Sequence, residues 1–347
     1  MSRRTLHRSR NWIPTTLSLV VLAVNALAPV SGAGASTTSR VMAGIADVNV
    51  TLGYENATAA ATGMVLTSTG EVLTNNHVIR GATAIKVCDV GNGKNYTATV
   101  VGYDVADDVA VLQLKGASGL KTVPIGNSSS VKVGAKVTGI GNGGGTGGTP
   151  SSASGKVTAL NQSITAFDEA AGTSEKLTGL IETNAPIEPG YSGGPLVNAS
   201  GNVIGMDTAA SSSFQFQSGA NVGFAIPINT AVSIARRIES GDFTGNLHRG
   251  ATAFLGVEVR NSHYYQNGSF LVGVVVVGVT LGSPAEKAGL RYGDVITSLN
   301  AKTITSPTQL VNKLLAISPG TKVTLNWVDQ YGTAHRTVVK LASGPPQ

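Results

Sequence analysis

The stretch Pro189-Gly190-Tyr191-Ser192-Gly193-Gly194-Pro195-Leu196 sets one serine among three glycines. Two readings fit it. Glycine and serine at this density make an ordinary hairpin turn between the apolar residues Ile187 and Leu196. The same spacing also suits an exposed nucleophilic hydroxyl, with backbone N–H groups turned towards a developing oxyanion and no bulky neighbour to keep a carbonyl away. On either reading it is a turn, and outward from it the chain runs on in short apolar stretches broken by glycines. Val203-Ile204-Gly205-Met206 follows; Gly63-Met64-Val65-Leu66-Thr67 and Val109-Ala110-Val111-Leu112-Gln113-Leu114 precede it. Such spacing from about Val41 to Ile238 predicts a barrel or sandwich rather than alternating strands and helices. A helix over Thr230 to Ile238, with Val232, Ala235 and Ile238 on its apolar face, closes this region, and Ser240-Gly241-Asp242 ends it. From about Ala251 to Leu341 a second block has its own strands and one helix, Pro307 to Ala316, long enough for a small independent domain.

The chain has 347 residues, of which 13% are charged, 41% are hydrophobic and 44 are glycines. That balance excludes a solvated, charge-rich disordered chain. The formal charge of +6 is concentrated at the front, where Arg3, Arg4, Arg8 and Arg10 precede any acid; the first acid is Asp47. Setting those four aside leaves 21 basic against 19 acidic residues, so no basic surface argues for a nucleic-acid partner. The arginines, the apolar run Leu17 to Leu27 and the small residues Ser31 to Ala35 read as an export signal cleaved after Ala33 or Ala35. The competing reading is a retained membrane anchor, for which the apolar core falls short of the ~20 residues a bilayer requires. Export would place the protein outside the cell or in the cell envelope, with membrane association only if the leader stays attached. Cys88 is the sole cysteine, so no intramolecular disulfide forms and no cysteine-based zinc site exists.

Gly139-Ile140-Gly141-Asn142-Gly143-Gly144 matches a dinucleotide fingerprint formally, but Thr146-Gly147-Gly148-Thr149-Pro150 cannot supply the helix that must follow. The stretch from Gly139 to Gly155 is therefore expected as a flexible surface loop, and no cofactor is implied. After the leader only His77, His248, His263 and His335 remain, none paired at metal-ligand spacing. His77 follows the strand-like run Glu71-Val72-Leu73-Thr74 and precedes a helical turn at Val78-Ile79-Arg80, a place where a side chain is both anchored and reachable. A base for Ser192 needs a carboxylate to orient it. Asp108, at the start of an apolar strand, is the candidate that can be drawn inward; Asp104 and Asp107 in the preceding turn are expected to be solvated, with Asp107 the substitute.

The runs Thr74-Asn75-Asn76-His77-Val78-Ile79, Asp108-Val109-Ala110-Val111-Leu112, Gly190-Tyr191-Ser192-Gly193-Gly194-Pro195-Leu196 and Gly223-Phe224-Ala225-Ile226-Pro227 resemble the HtrA/Deg serine proteases, which are chymotrypsin-like enzymes with a C-terminal PDZ domain. The order His, Asp, Ser is the chymotrypsin order. The resemblance covers about Asn56 to Leu341 and implies a mainly β fold: a chymotrypsin-like double β-barrel followed by an α+β PDZ domain. The expected limits are a leader over 1–35, the protease domain over 36–240, a linker over 241–250, the PDZ domain over 251–342 and a tail over 343–347.

The resemblance implies a triad of His77, Asp108 and Ser192, and an oxyanion hole in the turn Gly190, Tyr191 and Ser192 with the N–H groups of Gly190 and Ser192 as donors. Ile187 and Val222 line the specificity pocket, and Val222, Gly223, Phe224 and Ala225 form the strand that pairs with substrate. Because Pro186 stands six residues before the serine where an acid would select a basic side chain, a shallow apolar pocket is expected. Phe254-Leu255-Gly256-Val257 resembles the PDZ loop that receives a peptide's terminal carboxylate, with the strand edge beside Val257-Glu258-Val259 and the helix from Pro307 as the groove. The implied partners are polypeptide substrates and peptide C-termini, together with a homotrimer built through Val41 to Tyr54; no nucleic acid and no metal are implied. Two departures stand out: Tyr191 occupies the place of an Asn in relatives, and Gly143 follows Asn142 where relatives often have Pro. Tyr191 also offers no charge to a liberated N-terminus, so activation by its insertion is not expected. A silent protease domain serving as a peptide-binding or chaperone module, and an ester hydrolase, are the competing readings.

Overall fold

A computed structural model describes residues 39–54, 56–168, 173–208, 214–216, 222–261, 264–266 and 269–347. The expected leader over 1–35 and His263 lie outside the described residues. Among the described residues no helix is long and apolar enough to cross a membrane.

The short apolar runs become strands whose inward side chains form the cores. β1 (Ile45–Leu52), β2 (Ala57–Val65), β3 (Glu71–Thr74), β4 (Ala84–Asp89), β5 (Lys94–Asp104) and β6 (Val109–Leu114) pair in the order β5-β4-β1-β2-β3-β6, with helix α1 (Asn76–Ile79) between β3 and β4. β5 also pairs with β6, so these six strands close into a barrel. A second set comprises β7 (Lys136–Gly141), β8 (Ser151–Asp168), β9 (Thr173–Thr183), β10 (Pro195–Asn198), β11 (Val203–Thr208), β12 (Phe214–Phe216) and β13 (Gly223–Pro227). Its order is β8-β7-β10-β11-β13-β9; β8 returns to β9 to close the ring, and β12 extends β8. The two barrels are the double-barrel architecture that the resemblance implies.

Helix α2 (Ile228–Glu239) begins two residues before the expected start, directly after Pro227, and buries Ile228, Ala231, Ile234, Ala235 and Ile238. These join Met64, Val109, Met206 and Ile226 in one apolar cluster drawn from both barrels, which holds the cleft between them in a fixed geometry. The segment expected as a linker over 241–250 contains β14 (Leu247–Arg249), which pairs with β5 and so widens the first sheet. Val41 to Tyr54, which the resemblance implies for trimer contacts, contains β1, and both edges of β1 are taken by β2 and β4.

The second block consists of β15 (Thr252–Phe254), β16 (Val257–Asn261), β17 (Tyr264–Gln266), β18 (Ser269–Leu271), β19 (Val274–Val279), α3 (Pro284–Ala288), β20 (Val295–Leu299), β21 (Lys302–Thr303), α4 (Pro307–Leu315), β22 (Lys322–Val328), β23 (Ala334–Lys340) and β24 (Ala342–Gly344). Its main sheet runs β16-β19-β20-β22-β23 around a separate core that includes Val276, Ile296, Leu310 and Leu325. Both short helices start in the same way, with a serine hydroxyl accepting from the third N–H and a proline at the first position: Ser283 with Pro284 and Ser306 with Pro307. The expected tail over 343–347 is not loose. β24 pairs with β15, the Gly81 N–H donates to Pro346 O at 2.8 Å, and the Gln347 N–H donates to the Tyr103 hydroxyl at 3.4 Å.

Candidate active site

β3 ends at Thr74 and the chain turns through Asn75 into α1, which carries His77. Across the first barrel the β5–β6 turn delivers Asp108 in a left-handed conformation, φ +53°, which a short polar side chain tolerates better than most. The Asn75 side-chain amide donates to Asp108 O at 3.0 Å and fixes that turn against the His77 segment. Asp108 is fully buried. Its Oδ1 accepts from the His77 backbone N–H at 2.9 Å, and its Oδ2 lies 2.8 Å from His77 Nδ1. Oδ2 also accepts from the Thr208 hydroxyl at 3.3 Å, a contribution of the second barrel.

On the other face of the imidazole, Nε2 lies 3.0 Å from Ser192 Oγ. A ring whose Nδ1–H is held by a carboxylate presents Nε2 as an acceptor, and a hydroxyl within bonding reach can pass its proton there. The structure thus brings His77, Asp108 and Ser192 together from β3–α1, β5–β6 and the turn before β10.

The glycines of the serine turn have steric reasons. A Cβ on Gly190 would stand 2.1 Å from Asn142 O, and one on Gly193 2.1 Å from Thr62 O; both residues have positive φ. The Tyr191 N–H donates to Glu188 O at 3.1 Å, so of the three turn residues Tyr191 does not direct its amide outward. Pro189 O accepts from Gly144 N–H at 2.9 Å, and because C=O and N–H point opposite ways in a trans peptide, the Gly190 N–H faces away from Gly144. Tyr191 is 4% exposed and packs with Ala153, Ala185 and Ile187. A Cβ on Gly143 would come within 3.0 Å of its ring. This corrects the expectation of a flexible surface loop over Gly139 to Gly155: Gly139 and Gly141 lie in β7, Gly155 lies in β8, and the residues between them seat the Tyr191 ring and the serine turn.

Thr62 on β2 had no motif to mark it, yet it ties the site together. Its hydroxyl donates to Gly190 O at 2.7 Å and accepts from Asn142 N–H at 2.8 Å. Its backbone N–H donates to Ser192 O at 2.9 Å, and its carbonyl accepts from the Thr74 hydroxyl at 2.7 Å. Asp104 was expected to be solvated, but it is 3% exposed and accepts from the Ala106 and Asp107 N–H groups at 2.9 and 3.1 Å. Burial pushes its carboxyl up to about 6, against the partial relief of those two bonds. Beside α1, Arg80 and Glu175 of β9 form an ion pair between the barrels.

The expected substrate-pairing strand is the clearest difference. β13 lies between β11 and β9, so Phe224 and Ala225 have neighbours on both edges, Gly223 pairs with Thr183 of β9, and Phe224 is buried in the core. An interior strand cannot take a further partner, and periodicity does not distinguish interior from edge. Gly223 nevertheless lies against Ile187, whose Cγ1 would be 2.6 Å from a Cβ there, while Val222 is half-buried against the core.

In the second block, Phe254, Leu255, Gly256 and Val257 form a turn between β15 and β16. The Leu255 and Gly256 carbonyls are engaged by the N–H groups of Ala285 and Thr280, at 2.9 and 3.0 Å. Gly256 has φ +84°, and a Cβ there would stand 2.2 Å from Ser283 Cβ. The Phe254 ring stacks on Tyr54 of the first block at 4.9 Å between centroids. The other edge of β16, away from β19, has no strand partner among the described residues.

Residues 61–206 match the trypsin-like peptidase domain family and residues 253–328 the PDZ domain family. The chain is 37% identical over 259 residues to the periplasmic pH-dependent serine endoprotease DegQ of Escherichia coli (strain K12), covering 74% of this chain and 54% of that protein. It is 34% identical over 295 residues to the serine protease PepD of Mycobacterium tuberculosis (strain ATCC 25618 / H37Rv), covering 80% of this chain and 60% of that protein. The chain therefore spans between half and two thirds of the length of these relatives. Among solved structures, the HtrA-type protease AlgW with tripeptide superposes with a TM-score of 0.50 at 28% identity, over 90% of this chain and 98% of that one. With a trypsin-like peptidase domain in front of a PDZ domain, the chain is similar in both sequence and fold to the HtrA/Deg-like serine proteases.

Proposed function

We propose that this chain is a serine endopeptidase that cleaves unfolded or damaged polypeptides through an acyl-enzyme. The observation that carries the reading is His77, with Nδ1 2.8 Å from buried Asp108 and Nε2 3.0 Å from Ser192 Oγ. In this mechanism His77 takes the Ser192 proton as Oγ attacks the scissile carbonyl, and Asp108 holds the ring and stabilises its protonated form. The Gly190 and Ser192 N–H groups receive the oxyanion, with Tyr191 as the buried wedge between them rather than a donor. Protonated His77 then delivers its proton to the leaving amine, and a water repeats the cycle to release the acyl group.

The PDZ domain takes peptide C-termini at Phe254, Leu255, Gly256 and Val257, with the edge of β16 that has no strand partner among the described residues accepting an extended strand and α4 flanking it. The protein acts outside the cell or in the cell envelope, a reading supported by its leader sequence and by the periplasmic relatives. A homotrimer would form through surfaces other than the two edges of β1, which the barrel already uses.

The test is cleavage of unfolded casein, compared with a small ester, by the full chain and by Ser192→Ala. Loss of casein cleavage in the variant, together with loss of labelling by a serine-directed phosphonate, is expected. Casein binding without cleavage by the unmodified chain would favour the silent peptide-binding module, and turnover of the ester alone would favour an ester hydrolase.

A further inference from the structure

Asp207 is a buried acid beside the reacting serine that the mechanism above leaves without a task. It precedes Thr208 on β11 and is tied to the serine turn in both directions: Gly193 N–H donates to Asp207 O at 2.9 Å, and Asp207 N–H donates to Gly194 O at 2.8 Å. The side chain has no exposed surface, and among the described residues neither carboxyl oxygen has a hydrogen-bond partner. Its neighbours include Ile187, which the resemblance implies for the specificity pocket. Asp207 Oδ2 and Ile187 Cδ1 both lie within 2.7 Å of the point where a Cβ on Gly139 would stand, so a glycine is needed there to admit the two tips. The same Ile187 side chain covers Gly223. Ile187, Gly223 and Asp207 thus make one wall next to Ser192, with the carboxyl deepest and the half-exposed isoleucine in front of it.

We propose that Asp207 is the floor of the primary specificity pocket and selects substrates with a lysine or arginine side chain on the amino side of the scissile bond. The proposal rests on the endopeptidase reading and supplies its substrate class. A carboxyl with no partner inside a protein is costly in its charged form, and two remedies exist: it stays protonated, or a cation is brought to it. Burial alone pushes this carboxyl well above the usual carboxylate range, which is the direction of the first remedy. A lysine or arginine provides the second. Its aliphatic stem runs along Ile187 and Gly223, and its head reaches Oδ2, where the cation pairs with the carboxylate. For the head to reach Oδ2, the Ile187 side chain must turn to another staggered position. An acid six residues before the serine is therefore not required, because β11 brings one to the pocket from the opposite side in sequence.

The experiment measures kcat/KM for fluorogenic peptides differing only in Ala, Val, Leu, Lys or Arg before the cleaved bond, with active sites counted by phosphonate labelling of Ser192. The full chain is compared with Asp207→Asn and Ile187→Ala. Lys and Arg peptides are expected to exceed Leu by at least tenfold in the unmodified chain. Asp207→Asn should cut the Lys-to-Leu ratio at least tenfold, and Ile187→Ala should raise it. Should Asp207→Asn fail to fold, benzamidine serves with the unmodified protein, where this planar cation is expected to slow phosphonate labelling in proportion to its concentration. Labelled Ser192 with a Val or Ala preference that Asp207→Asn leaves unchanged, or labelling indifferent to benzamidine, overturns this inference and leaves the endopeptidase standing. No labelling and no cleavage of any peptide would overturn both.

Discussion

Replacing Thr62 by valine removes one hydroxyl and keeps the shape, at a residue with no exposed surface. That hydroxyl donates to Gly190 O at 2.7 Å and accepts from Asn142 N–H at 2.8 Å. The first partner belongs to the turn whose N–H groups are assigned to the oxyanion, and the second opens the glycine-rich stretch packed under it. Valine leaves both groups unmet, and each unsatisfied buried group costs about 1–3 kcal/mol. Because Asn142 stands between two glycines and Gly190 is itself a glycine, whose backbone adjusts at low steric cost, part of that cost is relieved by a shift of the turn away from its competent geometry. If about 2 kcal/mol separates the competent turn from the relaxed one, turnover falls by roughly 30-fold. The assay is steady-state kinetics on a fluorogenic peptide, with the rate of phosphonate labelling at Ser192 and thermal unfolding measured in parallel. The expected result is a 10- to 100-fold fall in kcat, KM within about threefold, slowed labelling, and a midpoint lowered by only a few degrees. Thr62→Ser keeps the hydroxyl and should stay within about threefold of the unmodified protein. A Thr62→Val protein that retains more than half its kcat would refute the argument that this hydroxyl holds the oxyanion turn.

Asp108→Asn keeps a residue type that tolerates φ +53° but replaces an acceptor by an amide that can hold His77 in the wrong tautomer. Turnover is expected to fall by about 10³- to 10⁴-fold with the fold retained, as judged by circular dichroism and peptide kinetics. Asp104 gives a pH signature of the opposite sign to that of a salt-bridged carboxylate. Its carboxyl moves from an ordinary 3.8 to about 6 on folding, so between those values the folded protein binds more protons than the unfolded chain. Its contribution is fully present below pH 4 and is lost as pH rises through about 6. In urea unfolding measured across that window, the unmodified protein should lose stability relative to Asp104→Asn as pH rises. Parallel curves for the two proteins would remove Asp104 from the account.

Read from its residues, the chain discloses what is local. Strand length and turn spacing are written in runs such as Val109–Leu114, because side-chain alternation and glycine breaks act on neighbours in sequence. The serine turn is legible for the same reason, and so are the serine-proline starts of α3 and α4, whose donors and acceptors lie within a few residues of one another. His77, Asp108 and Ser192 could be named from short motifs in a known order, although 31 and 115 positions separate His77 from its two partners.

What only the tertiary structure decided is which strands have free edges and which distant groups meet. β13 carries a familiar motif yet lies inside the second barrel, because closure by β8 and β9 takes the edge that its own sequence leaves open. Asp104 looks like a turn residue and is buried, since the chain beyond it folds back over it and β14 pairs with its own strand. Thr62 and Asp207 carry no signal at all: a threonine on β2 and an acid on β11 acquire meaning only when two barrels close and set them against Gly190, Asn142, Gly193 and Ile187. Local pattern determines which elements form, because it works through adjacent bonds. The surroundings of a buried polar group are set by contacts between residues far apart in the chain, and those exist only once the barrels have packed.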